Sequence, residues 1–223
     1  MFQIPTINDR TTVMGMTGSG KTQGGAFLLA GQQFEQIPWV ILNFKREAMF
    51  YELQPFDLPQ WQVPTDPGIY MIDIDLDAID IEQVNDFLRR VKARGSCGLF
   101  IDEGMELEHS RPLRSILTQG RSLEIPVILC TQRPKLITIS AFTEANYYMI
   151  FDLNHPDDRK IVAGYVGRKE ELPELARYHF WWYDRIEKEL TAMRPVPDRA
   201  MIIGNIRARQ EALARQSKAK VYL

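Results

Sequence analysis

At 223 residues, 45% hydrophobic and 25% charged, the chain has the size and composition of one large globular domain with a full core. Its 27 Lys and Arg against 29 Asp and Glu exclude a globally basic nucleic-acid binder, so any polyanion contact must be local. No apolar run reaches the ~20 residues of a membrane span, and the start Met1-Phe2-Gln3-Ile4-Pro5 lacks a secretion signal. Cys97 and Cys130 stand in apolar runs without metal-ligand spacing, and a reducing cytoplasm with two buried thiols is the expectation.

In chain order, the β-branched run 11–14 predicts a strand, and the eight residues after it read Gly15-Met16-Thr17-Gly18-Ser19-Gly20-Lys21-Thr22. This is the complete P-loop pattern G-x-x-x-x-G-K-[ST]. Such a loop turns backbone N–H groups around a polyphosphate, with Lys21 reaching the outer phosphates and the Thr22 hydroxyl holding Mg²⁺. The competing reading, a glycine turn that only joins two elements, does not account for the lysine and threonine. A helix over 21–33 would point its positive end at the phosphates.

Further strands are predicted at 39–44, 69–74, 97–102, 127–131 and 147–151, with helices over 79–94, 113–123 and 157–165. Near-continuous apolar strands alternating with helices imply a mainly parallel sheet covered on both faces. Four prolines between 54 and 68 predict an irregular surface loop there. Residues 178–183 and 189–193 read as an antiparallel pair, and a helical tail from Asp198 carries Arg199, Arg207, Arg209, Arg215, Lys218 and Lys220. The reading is one domain over 1–223, with a core of about 11–166 and an appended hairpin and basic helix over 167–223.

The strand at 97–102 ends in Asp102-Glu103. Beside a P-loop, Asp102 suits a magnesium ligand and Glu103 suits the group that polarises an attacking water; otherwise they are a solvated acid pair. A second acid at this position favours hydrolysis over transfer to a metabolite. Gln132, in Thr131-Gln132-Arg133-Pro134 after the next strand, is the candidate γ-phosphate sensor. Arg121 and Arg133 flank that strand, and Arg121 is favoured as an arginine completing a neighbouring subunit's site; each is otherwise an ordinary surface arginine. His109, His155 and His179 share no spacing and read as structural. The aromatic run 180–183 reads as alternating strand burial rather than base stacking.

Taken together, Gly15–Thr22, Leu99-Phe100-Ile101-Asp102-Glu103 and the stretch 120–134 resemble the FtsK–HerA superfamily of P-loop motors. The acidic turn His155-Pro156-Asp157-Asp158-Arg159 adds to the likeness, which covers about 11–166. One departure is that the second strand ends Asn43-Phe44-Lys45, where many relatives carry an aspartate. The shortness of the chain is similar to the genome-packaging ATPases of tailless internal-membrane bacteriophages of the tectivirus kind. That resemblance implies a RecA-like α/β core and ATP with Mg²⁺ as ligands. It also implies a homo-oligomeric ring, expected to be hexameric, around double-stranded DNA, with residence in the host cytoplasm and at a packaging vertex among other vertex proteins of the virion. Lys45, Arg46, Arg111, Arg114 and Lys135 are candidate DNA contacts. The alternatives are a related DNA-transfer or phage-export motor, and a small P-loop phosphotransferase.

Overall fold

The computed structural model describes residues 3–221, the side chains of Pro59 and 217–221 apart. Strand β1 (Arg10–Met14) runs straight into the P-loop and helix α1 (Lys21–Ala30). There follow β2 (Pro38–Asn43), a short α2 (Ala48–Glu52), β3 (Gly68–Asp73), α3 (Ile81–Arg94), β4 (Gly98–Ile101), α4 (Arg111–Gln119) and β5 (Val127–Thr131). The chain continues through α5 (Ser140–Thr143), β6 (Tyr147–Ile150), α6 (Pro156–Tyr165), β7 (Phe180–Asp184), β8 (Glu189–Met193) and α7 (Arg199–Val221). All eight strands form one sheet in the order β3-β2-β4-β5-β1-β6-β7-β8. The first six are mutually parallel, and β7 and β8 extend the β6 edge in antiparallel fashion.

The central strands are apolar on both faces because helices cover both. Met14, Leu42, Ile101, Leu129 and Ile150 point into a cluster with α3, α4, α5 and α6. Their neighbours Val13, Ile41, Phe100, Ile128 and Met149 point the other way, against α1, α2 and α7. This period-2 partition continues into β7, where Trp182 stacks on Tyr147 on one face and Tyr183 on Tyr148 on the other. The aromatic run therefore serves the core.

Register positions the site. Met14 lies opposite Thr131 on one side and Ile150 on the other, and Ile101 lies opposite Leu129. The residues just beyond these strands thus open on one edge of the sheet, at its carboxyl ends.

Three local expectations need correction. Helix α1 stops at Ala30, short of 33, where the Gly31 amide closes on the Phe27 and Leu28 carbonyls and Ile4 packs against the glycine. The helix expected over 113–123 breaks at Gly120 into a 3₁₀ turn, Gly120–Leu123. The break follows from Ile125, whose N–H bonds the Gly120 carbonyl at 2.9 Å and turns the chain into β5. The 54–68 segment is not wholly irregular; it holds a 3₁₀ turn, Pro59–Trp61, and an isolated bridge from Phe56 to Tyr70.

The basic tail is partly committed to the fold. Arg209 pairs with Glu35, donates to the Ala30 and Gln32 carbonyls, and lies 3.9 Å over the Phe34 ring. Arg199 pairs with Glu52. The Gln210 amide bonds both N–H and C=O of Ile69, so it closes part of the exposed β3 edge as a neighbouring strand would. Arg207 and Arg215 remain exposed, and the Lys218 and Lys220 side chains lie outside the described residues.

Candidate nucleotide-binding site

The P-loop is pinned at its base and open at its centre. Gly15 N–H donates to the Thr131 carbonyl at 3.2 Å and Met16 N–H to the Asp152 carbonyl at 2.8 Å, so β5 and β6 anchor its first two residues. Gly18 and Gly20 have φ of 78° and 100°, conformations that an L side chain rarely adopts. Ser19 and Lys21 are buried, and the Ser19 hydroxyl has no hydrogen-bond partner. Thr22 follows on the first turn of α1, whose positive end faces the loop.

Across β5, β4 delivers the acid pair. Asp102 is fully buried and neither of its carboxylate oxygens has a hydrogen-bond partner. Burial pushes its carboxyl up to about 6, against the opposing attraction of Lys21. An unpartnered buried carboxylate beside a phosphate cradle fits a divalent cation. No cluster of three or more His, Cys, Asp or Glu able to chelate a metal occurs among the described residues. A magnesium ion here would therefore take most of its shell from nucleotide and water oxygens, as that ion commonly does.

A stability consequence follows from the raised Asp102 value. The folded state holds this proton to a higher pH than the unfolded chain, so its contribution is intact below about pH 4 and is lost as pH rises through about 6. Asp102→Asn is expected to stabilise the nucleotide-free protein at about pH 8 by on the order of 2–3 kcal/mol, with no gain at about pH 4. Urea unfolding at the two pH values measures the difference.

Glu103 is also buried, but it is partnered. One oxygen accepts from the Lys45 ammonium, at the end of β2, and the other from the Gln132 N–H at 3.3 Å. The Gln132 side-chain oxygen accepts from Thr17 Oγ1 at 2.9 Å, so Gln132 bridges the P-loop, through its side chain, and the acid pair, through its backbone N–H. The loop that carries Gln132 is held from below. Asp158, buried at the start of α6, accepts from Arg133 Nε and from the Lys135 N–H, both at 2.8 Å. Arg133 is thus tied within its own chain, and Lys135 pairs with Asp157.

Arg121 stands apart from these groups. It lies in the 3₁₀ turn before β5, so the length of that strand, roughly 17 Å, separates it from the edge that carries Gln132. It is exposed, its side chain makes no hydrogen bond or ion pair among the described residues, and its charge repels that of Arg10, whose guanidinium is held below its ordinary range by burial first and by that repulsion as well.

On the β6 side of the loop a cavity of about 510 Å³ runs from Met16–Ser19 to the segment before β7. Tyr178 closes on the loop, its ring 3.3 Å from where a Cβ on Gly20 would sit, and Arg177 lies 4.7 Å over that ring. Sequence reasoning missed this wall, because nothing local marks 172–179 as adjacent to residues 15–20. Lys45 was missed as a partner of Glu103 for the same reason. The histidines are peripheral to the acids: His109 is exposed, His155 caps α6 through Asp157 N–H, and His179 contacts the Arg177 carbonyl.

A phosphate cradle with an acid pair one strand beyond its neighbour, and an amide bridging the two, is the layout of a P-loop ATPase of the FtsK–HerA type. No protein-family model matches the chain. Among curated proteins, DNA packaging ATPase P9 of Enterobacteria phage PRD1 is 30% identical over 207 residues, covering 88% of this chain and 91% of that protein. The chain belongs to this family of viral DNA packaging ATPases; it binds nucleotide and is an ATPase. The fold is shared with the genome packaging NTPase B204 of Sulfolobus turreted icosahedral virus 2, solved with AMPPCP. That structure is 19% identical over 86% of this chain and 100% of that one, at a TM-score of 0.67. ATPases 2 and 3 of EssC from Geobacillus thermodenitrificans share the fold more distantly, at 14% identity and a TM-score of 0.61 over 95% of this chain and 45% of that one. No helix among the described residues is long and apolar enough to cross a membrane.

Proposed function

We propose that this chain is the motor that drives double-stranded DNA into a viral particle, hydrolysing ATP as one subunit of a homo-oligomeric ring. The observation that carries the proposal is the near full-length match to a DNA packaging ATPase, 91% of whose length is covered. Its place of action would be the host cytoplasm and the packaging vertex, beside other vertex proteins.

In the proposed cycle Lys21 and the amides of residues 17–22 hold the phosphates. Thr22 and Asp102 are the residues that would hold Mg²⁺, which supplies charge neutralisation on the β- and γ-phosphates when bound. Glu103 accepts a proton from the attacking water. Gln132, bridged to Thr17 in the structure, exchanges that partner for the γ-phosphate and releases it after hydrolysis. Because Asp158 ties the loop of Gln132 to α6, a shift at the phosphate would move α6 as well. Tyr178 and Arg177 suit the nucleoside end, an aromatic face backed by a cation beside the loop.

ATP turnover with and without long linear duplex DNA, at one fixed salt concentration, tests the reading. Several-fold stimulation by the duplex is expected. Indifference to DNA, together with consumption of a small-molecule phosphate acceptor, would point to a phosphotransferase instead.

A further inference from the structure

Helix α6 starts against the base of the P-loop, and its first turn has partners on both sides of that loop. Asp152, whose carbonyl holds the Met16 N–H, leads into Leu153, whose carbonyl accepts from Arg159 Nη1 at 3.2 Å. The turn itself is stiff: His155 Nδ1 accepts from the Asp157 N–H at 3.2 Å, and Pro156 opens the helix with its φ already fixed. Two adjacent side chains on it then bind distant parts of the chain. Asp158, 1% exposed, holds the loop of Gln132 through Arg133 and the Lys135 N–H. Arg159 pairs through Nε with Glu171 Oε2 at 2.9 Å.

Glu171 begins the segment that walls the cavity of about 510 Å³ beside the P-loop. Beyond it, Leu172 packs against the core cluster under α6 and the Pro173 carbonyl accepts from Trp181 Nε1 at 3.0 Å. The chain then passes Arg177 to reach Tyr178, which closes on Gly20 with a left-handed φ of 64°, a conformation that its surroundings must impose. No helix or strand forms between α6 and β7, so side-chain contacts rather than a strand ladder hold this wall in place. The Arg159–Glu171 pair is partly exposed at both ends and adds little to global stability. Its worth lies in where it puts the wall.

We propose that Arg159 is a positioning residue for the bound nucleoside: through Glu171 it sets the wall that carries Arg177 and Tyr178, and through its neighbour Asp158 that setting depends on the sensor loop. This rests on the reading of the cavity as the nucleoside site and of Gln132 as the γ-phosphate sensor. One stiff turn thereby joins the two ends of the nucleotide. A sensor loop that shifts when the γ-phosphate leaves would loosen the wall on the ADP that remains, so product release would follow hydrolysis.

Release of radiolabelled ADP, chased with excess unlabelled ATP, tests the link, alongside competition by inorganic tripolyphosphate, which suits the P-loop but has no nucleoside. Glu171→Gln, a surface change that removes only charge, should speed ADP release several-fold and leave tripolyphosphate affinity unchanged. Arg133→Met, which frees the sensor loop from Asp158, should also speed release, and the double variant should be no faster than the faster single one. Unchanged release in Glu171→Gln overturns the proposal. Faster release there with wild-type release in Arg133→Met, or a double variant whose effect is the product of the two single ones, keeps the nucleoside site and overturns the link to the sensor loop. Tripolyphosphate weakened as much as ADP in Glu171→Gln removes the nucleoside reading of the cavity, and the proposal with it.

Discussion

Glu103→Gln is expected to lower kcat for ATP hydrolysis by ~10²–10⁴ while leaving ATP affinity within a few-fold of the wild type. The substitution keeps shape and one of the two accepting oxygens, so it can keep the contact with Lys45 or the one with the Gln132 N–H, which meet different oxygens of Glu103. What it removes is the capacity to take a proton. Binding is left to Lys21 and the amides of the loop, which the change does not touch. Single-turnover phosphate release, set beside equilibrium binding of ATP, reads the two quantities separately. A variant that still turned over near the wild-type rate would take the water-activating role away from Glu103.

The other large effect is expected at Arg121. Alanine there should cost ~10³–10⁵ in turnover of an assembled ring, the range found for an arginine supplied to the phosphates by a neighbour. Arg121 sits at the opposite end of β5 from its own P-loop, with no ion pair among the described residues and a repulsive charge in Arg10. A guanidinium so placed cannot serve its own site, and the proposed ring would give it a neighbour's. Arg133, the other candidate from the sequence, is held by Asp158 in its own chain. Rings mixed from wild-type and Arg121→Ala subunits distinguish the possibilities: activity falling faster than the wild-type fraction means action across an interface, whereas strict proportionality means the loss is confined to the mutated chain.

The elements that could be read locally were those whose cause is local. The P-loop is specified by eight consecutive residues, because the conformations of Gly18 and Gly20 and the helix that follows need no distant partner. The parallel sheet was legible in its uninterrupted apolar strands, and the antiparallel hairpin in two runs separated by a short polar turn. Helix ends were less so: the break at Gly120 depends on Ile125, and the stop at Gly31 on Ile4, which lies near the other end of the preceding strand and loop. The basic tail was legible as a helix, but the engagement of Arg209 with Glu35 and Phe34 is a contact 174 residues away in sequence.

What the sequence by itself determined was the set of residues on offer: a phosphate cradle, two adjacent acids, a glutamine at a strand end as the candidate sensor and two candidate arginines, each named by the residues around it. Tertiary structure alone decided who meets whom. Strand order placed β4 next to β2, and so brought Lys45 onto Glu103; the return of the chain through β7 laid Tyr178 against Gly20; and the length of β5 set Arg121 beyond reach of its own loop. The physical reason is that backbone preference acts over a few neighbouring residues, whereas the lateral order of strands is settled by burying both faces of one sheet at once.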